Sequence, residues 1–198
     1  MWYISYMIYT ERLDKAIRIA SWAHDQQKQY RKGTDIPFII HPFSVMLIAS
    51  EATADEDTLI ACLLHDVLED VNSKIYNAEN VLEEFGDKVL KIVKDVTKDD
   101  SAGTWHQVSE AYVDHIRNEA CDEAVIVSAS DKIQNLMSQI IDHRTHGDII
   151  WQRFSTKNPD DQVWFYSLVL NAITERKAPQ ILIDQLSQQI AILKNRLI

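Results

Sequence analysis

The chain has 198 residues, 46% hydrophobic and 25% charged, with a formal net charge of −10. That length can bury a sizeable core as one domain, and that balance excludes intrinsic disorder. The acidic excess argues against nucleic acid or an anionic membrane as partner, because both call for basic faces.

In chain order, the opening MWYISYMIYT lacks a basic segment and a small-residue cleavage site, so no signal peptide is read there. Asp14 to Tyr30 has helical period, with Ala16, Ile17, Ile19, Ala20 and Ala23 on one face, and QQKQYRKG ends it with Gly33 as the stop. Thr34 to Ile40 reads as a short extended link. Pro42 takes the first position of the next helix and His41 the cap before it. Thr53 caps a central helix whose first turn is crowded with acids, where the helix dipole favours them. Asn77 opens a segment that Gly86 interrupts and Val89 to Val96 continue. Lys98 to Gly103 is a polar loop. Trp105 to Asn118 is amphipathic, and Cys121 to His143 is strongly periodic. Asn158-Pro159-Asp160-Asp161 supplies a cap, a first-position proline and an acidic first turn for a helix to about Arg176. Pro179 restarts a last helix over 179–198. Cys62 and Cys121 sit among apolar residues without CxxC spacing, which suits free thiols in a reducing compartment. No run approaches the roughly 18 apolar residues of a membrane span, so a cytoplasmic protein is expected. The reading is all-α, a single domain over 1–198, with roughly eight to ten helices.

The central helix carries the first chemical signal. Leu59, Ile60, Leu63, Leu64, Val67 and Leu68 recur at spacings of three and four, and Ile60 to Leu64 run straight into His65 and Asp66. Ionised groups there are costly unless paired or bound to a metal. Glu69 and Asp70 follow at i+4, so one helical edge gathers an imidazole and three carboxylates. A solvated helix end would not need such an apolar approach. His65 and Asp66, about 100° apart on a helix, can reach one cation. His41, as a cap, points away from its own helix, although a lone histidine in that position is more often structural. Asp131 falls between Val127, Ala129 and Ile133, where it needs a cation or a dense set of hydrogen bonds. Two histidines and two aspartates make a mixed nitrogen and oxygen site suited to a divalent ion such as Mn²⁺.

These residues resemble a known family. IPFIIHP, LLHDVLED and SDKIQN, in that order and spacing, resemble the HD-domain hydrolases. AHDQQKQYRKG before them is similar to the RelA/SpoT-type hydrolase domain, in particular the stand-alone small alarmone hydrolases. The resemblance covers about residues 12 to 176. It implies an HD-type helical bundle with one Mn²⁺ per chain on His41, His65, Asp66 and Asp131. It implies that Glu69 and Asp70 orient and deprotonate water, that Arg31 and Lys32 meet the nucleotide, and that Asn135 lies near base and ribose. The implied activity removes the 3′-diphosphate from guanosine tetra- and pentaphosphate, giving GDP or GTP and pyrophosphate. With no synthetase or regulatory domain following in this sequence, a hydrolase alone is expected.

Elementary chemistry agrees with that reading. A carboxylate among carboxylates has its pKa pushed up toward base duty, and Arg31 and Lys32 place positive charge in an otherwise acidic protein. The same YRKG is equally a helix end with dipole-matched cations. There are departures from the family. KDDSAGTWHQ is more acidic than the usual stretch, where a lysine helps hold a phosphate, and Lys98 is the available substitute. Met137 stands where a basic residue is common. WQRF and VWFYSLV resemble a subset of bacterial members, which makes Arg153 and Tyr166 candidate substrate contacts and Trp164 and Phe165 core residues. His24 is expected beneath the site, and His106, His115, His143 and His146 on the surface. The nucleotide stays open, with adenosine counterparts or the phosphate of NADPH as variants on the same centre. The alternative to an enzyme is a nucleotide-binding HD protein without turnover. Glu69 and Asp70 separate the two, since a protein without turnover gains nothing from their mutual repulsion. The expected partner is a small nucleotide, with no nucleic acid and no membrane, and a homo-oligomer is left open.

Overall fold

The computed structural model describes residues 9–99 and 103–196. Most of the opening segment and part of the loop after Lys98 therefore lie outside the described residues, as does the reading of no signal peptide made there. Ten α-helices run through the rest: α1 (Glu11–Gln26), α2 (Ile40–Ser50), α3 (Glu56–Leu64), α4 (Val67–Asp70), α5 (Ala78–Phe85), α6 (Asp87–Val96), α7 (Trp105–Asn118), α8 (Asp122–His146), α9 (Pro159–Glu175) and α10 (Gln180–Arg196). A 3₁₀ segment, Gly147–Arg153, follows α8. Among the described residues there is no β-strand, only an isolated bridge between Tyr30 and Pro37, and no helix long and apolar enough to cross a membrane.

Every residue from Thr58 to Leu64 is buried. A helix apolar on all sides belongs inside, and α1, α2, α6 and α8 pack around α3. Burying Ile60, Leu63 and Leu64 stabilises the fold by about 1.5–3 kcal/mol each. At 25 residues α8 is the spine, with α2, α6, α9 and α10 laid against it. The chain reaches the site where α2, the end of α3 and the middle of α8 meet.

Local signals placed several helices correctly. Trp105–Asn118 is α7, with Thr104 and Gln107 forming a reciprocal cap. Asn158 caps α9 and Pro159 opens it. Four expectations need correction. First, α1 ends at Gln26 rather than Tyr30, because Lys28 takes a left-handed φ of 50° and the Lys28 and Gln29 amides bond back to Asp25 and His24. Second, Asp55, not Thr53, caps α3 by accepting from the Thr58 amide at 3.0 Å. Third, His41 does not cap α2 but lies inside its first turn, since the turn begun at Pro37 starts the helix at Ile40. Pro42 is tolerated there because first-turn amides have no helical acceptor. Finally, the expected continuous central helix is two, with Asp66 at φ −90° and ψ −5° between α3 and α4. The Asp70 amide still reaches the Asp66 carbonyl at 2.8 Å, so the direction carries through.

Candidate metal centre and active site

Four side chains converge where α2, α3 and α8 meet. His41 Nε2 lies 3.2 Å from His65 Nε2, 3.3 Å from Asp66 Oδ2 and 3.2 Å from Asp131 Oδ1. His65 Nε2 lies 3.1 Å from Asp66 Oδ1 and 3.9 Å from Asp131 Oδ1. Both histidines and Asp131 are buried, and Asp66 is half-buried.

The hydrogen bonds on the far side of each ring decide what this cluster can hold. His65 Nδ1 faces the Cys62 carbonyl at 2.8 Å, and a carbonyl only accepts, so Nδ1 carries the proton. His41 Nδ1 faces Gln134 Oε1 at 2.6 Å. Arg31 donates to that same oxygen at 3.3 Å, and since a guanidinium only donates, the amide presents its oxygen to both. His41 Nδ1 is therefore a donor too. When both rings are neutral they turn bare Nε2 lone pairs toward each other beside two carboxylates, an arrangement that is repulsive without a cation or a proton between them. Ligand atoms about 2.1 Å from a metal stand about 3 Å apart at right angles. That is close to the 3.1–3.3 Å separations that link His41, His65 and Asp66 and join His41 to Asp131, while His65 and Asp131 stand wider apart. The residues fit a divalent metal. Without one, a proton does part of the work. Burial opposes charging His65, but Asp66 and Asp131 overcome it and raise its pKa to about 9. Burial also opposes ionising Asp131, yet Lys132 and His41 hold its carboxyl far below the usual range.

Glu69 and Asp70 stand beside the four without bonding to them. Both are exposed. Surrounding protein raises the Asp70 pKa to about 7, helped by Asp66 and Glu69. The same burial and Asp66 raise Glu69. Solvent on the open side screens part of that push. Gln27 and Gln29 each donate to the Asp70 carbonyl, at 2.8 and 2.7 Å, so the polar exit of α1 holds the end of α4.

A cleft of about 470 Å³ opens over the centre. Of the expected substrate residues it is lined by Arg31, Lys32, Lys98, Asn135 and Tyr166, together with His41, Asp66 and Asp70. Arg31 also donates to Asn135 Oδ1 at 2.9 Å, and Asn135 in turn donates to Asp131, so this arginine braces the centre as well as facing the cleft. Arg153 is not among the lining residues. It pairs with Asp142 at 3.0 Å and lies against Gly33, where a Cβ would meet its Cδ at 2.6 Å. Gly33 thus makes room for Arg153 at a φ of 72° rather than stopping α1. Phe165 packs in the core as expected but also lines the cleft. His24 is buried with its ring 4.7 Å from Phe38, itself 5.7 Å from His41, which puts it beneath the site. His106 and His146 are exposed, whereas His115 and His143 are half-buried, His143 against Asp148 and Trp151.

Two residues escaped the sequence reading. Lys132 is buried and paired with Asp131, and Gln134 orients His41 and Arg31. The cost argument that singled out Asp131 applies equally to the cation beside it, so Lys132 had a signal. Gln134 had none.

An all-α bundle whose helices bring His41, His65 and Asp66 together, with Asp131 beside them, presents the kind of His–Asp cluster that can hold a divalent metal. The chain belongs to the HD-domain family, whose model matches residues 16–153. It is 36% identical over 132 residues to the guanosine-3′,5′-bis(diphosphate) 3′-pyrophosphohydrolase of Aquifex aeolicus, covering 66% of this chain and 18% of that protein. It is 31% identical over 136 residues to the bifunctional (p)ppGpp synthase/hydrolase SpoT of Escherichia coli strain K12, covering 69% of this chain and 17% of that one. The chain thus spans under a fifth of these relatives' length. Its fold superposes on that of a metazoan SpoT ortholog described as hydrolysing ppGpp, with a TM-score of 0.75 at 22% identity, over 93% of this chain and 96% of the other. A Listeria monocytogenes structure matches with a TM-score of 0.64 at 24% identity, over 76% of this chain and 96% of that one.

Proposed function

We propose that this protein is a cytoplasmic, Mn²⁺-dependent hydrolase that removes the 3′-diphosphate from guanosine tetra- and pentaphosphate. The observation that carries the reading is the approach of the His41 and His65 Nε2 atoms to 3.2 Å beside Asp66 and Asp131, next to two carboxylates that are not part of that set. The names of the Aquifex and Escherichia relatives point to the same substrate. His41, His65, Asp66 and Asp131 would hold the metal, which when bound supplies Lewis acidity toward a phosphoryl oxygen and acidifies water. Gln134 and the Cys62 carbonyl keep the two imidazoles in the tautomer that leaves Nε2 free. Asp70, or Glu69 beside it, takes a proton from the attacking water as the water oxygen bonds to phosphorus. The bond from phosphorus to the ribose 3′ oxygen breaks, that oxygen takes up a proton as the 3′ hydroxyl, and pyrophosphate leaves. Arg31 presents a planar cation suited to a base or a phosphate, and Lys32, exposed next to it, adds charge at the rim. Asn135 stands between Arg31 and Asp131, so the nucleotide side and the metal side of the cleft are mechanically joined.

The test is pyrophosphate release from guanosine tetraphosphate by purified protein, with Mn²⁺, Mg²⁺, Zn²⁺ or EDTA. Adenosine tetraphosphate and NADPH run alongside as competing substrates. Release from the guanosine nucleotide, greatest with Mn²⁺, is expected. No release from it with any metal overturns the proposal, and faster release of phosphate from NADPH reassigns the substrate.

A further inference from the structure

Lys132 and Lys98 come from different parts of the chain, yet their ammonium groups share two aromatic rings. Lys132 Nζ stands 4.8 Å from the centre of the Tyr112 ring and 5.8 Å from that of Phe165. Lys98 Nζ stands 5.3 and 5.0 Å from the same two. Both lysines line the cleft. The rings are themselves held in place, Tyr112 by a 2.7 Å hydrogen bond to Ser128 and Phe165 by Trp105 at 5.8 Å.

A buried ammonium needs compensation, and Lys132 is 6% exposed. Its ion-pair partner among the described residues is Asp131, through Oδ2. That carboxylate has other claims on it, because its Oδ1 faces His41 and accepts from Asn135. With a dication on the His–Asp centre, one negative charge is divided between the metal and Lys132. Glu69 also acts on Lys132, and it accepts the Lys98 backbone amide at 3.2 Å, so its charge is shared as well. The faces of Tyr112 and Phe165 offset part of the remaining cost through their quadrupoles but carry no net charge. An aromatic wall has a second consequence. A further acid in its place would repel a phosphate, whereas a ring steadies the ammonium without adding negative charge to the cleft.

Building on the hydrolase reading above, we propose that Lys132 and Lys98 form a diphosphate clamp. Lys132 is the substrate-binding ammonium beside the metal, and Tyr112 and Phe165 are positioning residues that hold the two cations together. The ligand chemistry is a diphosphate group, which could be the one released from the 3′ position or the one retained at the 5′ position.

Equilibrium binding of inorganic pyrophosphate and of GDP to the Mn²⁺-loaded protein, at fixed free metal, tests this without turnover. Lys132→Met should weaken binding of at least one probe by roughly tenfold or more, the scale of a lost charge-assisted contact, and Lys132→Arg should restore most of it. Phe165→Leu, which keeps both lysines, should weaken the same probe about three- to fivefold. Weaker pyrophosphate binding assigns the clamp to the 3′ side, and weaker GDP binding alone to the 5′ side. Unchanged affinity for both probes in Lys132→Met that retains Mn²⁺ overturns the clamp and leaves Lys132 as a counter-ion to Asp131. Should that variant fail to hold Mn²⁺, unchanged affinity in Phe165→Leu overturns it instead. A parent that binds pyrophosphate through Lys132 and cleaves no nucleotide breaks the hydrolase reading while the clamp stands.

Discussion

The two sides of the cleft are built in different ways. His41 and Asp131 project from helices packed against the buried α3 and His65 follows directly on its end, so their positions follow from the core. Arg31, Lys32 and Lys98 sit on connecting segments and are held by side chains reaching across: Arg31 by Gln134 and Asn135, Lys98 by the rings of Tyr112 and Phe165. Helix-borne groups in a close-packed interior cannot shift to compensate for a lost neighbour, while loop-borne groups can. Changes on the first side should therefore abolish chemistry, and changes on the second should weaken binding by degrees.

The largest effect belongs to the centre. His41→Ala removes a ligand without stranding a charge and should abolish metal binding and turnover together. Asp131→Ala should do the same and also destabilise the fold by roughly 3–5 kcal/mol, because Lys132 is left buried without its partner. In the parent, free metal a hundredfold above its dissociation constant should stabilise the fold by about 2.7 kcal/mol. Thermal melts in EDTA and in Mn²⁺ read all three. A parent whose melt ignores Mn²⁺ would show that these residues do not form a metal site.

That first side was also the legible one. Ile60 to Leu64 announced a buried helix, and a charged pair at its end needed a reason to be there, which is a local argument. The caps Asn77 and Asn158 were likewise readable because a cap acts on residues two or three positions away. The other side was not readable from local pattern. The end of α1 depends on a lysine in a left-handed conformation, and the 3₁₀ segment after Gly147 has no periodicity to betray it. Gly33 looked like a helix stop because its true reason, the side chain of Arg153, lies 120 residues away. Contacts of that range are fixed by packing, and no spacing in the sequence records them.

Next in size are the two acids beside the centre. Asp70→Asn and Glu69→Gln should keep the metal and lose about 10² to 10⁴ in turnover for whichever serves as base. If both turn over normally, neither takes the proton. The pH dependence of Asp70 carries two opposite signs. Only its ionised form accepts a proton, so kcat/KM should fall as pH drops through a value at or below about 7, because a bound dication favours the charged form. Stability of the metal-free protein runs the other way. The folded pKa lies above the unfolded one, so the contribution of Asp70 is full at acid pH and is lost as pH rises through about 7. Metal-free Asp70→Asn should therefore melt higher than the parent at pH 8, and the metal-loaded variant should lose the acid limb of the rate profile. An unchanged rate profile together with an unchanged melt would remove Asp70 from both roles.

On the loop-borne side the expected losses are smaller. Arg31→Gln should lower kcat/KM about tenfold or more, the scale of one charge-assisted contact. Because Arg31 also braces Gln134 and Asn135, Mn²⁺ affinity should fall modestly in the same variant. Lys32 is exposed, so Lys32→Gln should cost less, and that loss should shrink at high salt. Steady-state kinetics at two ionic strengths separates them. Equal kcat/KM in parent and both variants would return this segment to a plain helix exit.

The smallest effect tests how the loop is held. Gly33→Ala puts a Cβ at a φ of 72° and within 2.6 Å of Arg153 Cδ. The backbone part of that change costs about 1 kcal/mol in any background. The contact part depends on Arg153, whose side chain can swing away at the expense of its bond to Asp142, a partly exposed pair worth about 0.2–1 kcal/mol. The two parts separate in a double-mutant cycle of Gly33→Ala and Arg153→Ala. In the Arg153→Ala background the glycine substitution should cost only the backbone part, giving a coupling of about 1 kcal/mol or less. If Arg153 serves as a brace, kcat should be nearly unchanged in every corner of the cycle, while KM rises in those that free the Arg31–Gly33 segment. Strict additivity in stability, or a fall in kcat with Arg153→Ala alone, would mean that Arg153 does not act through Gly33.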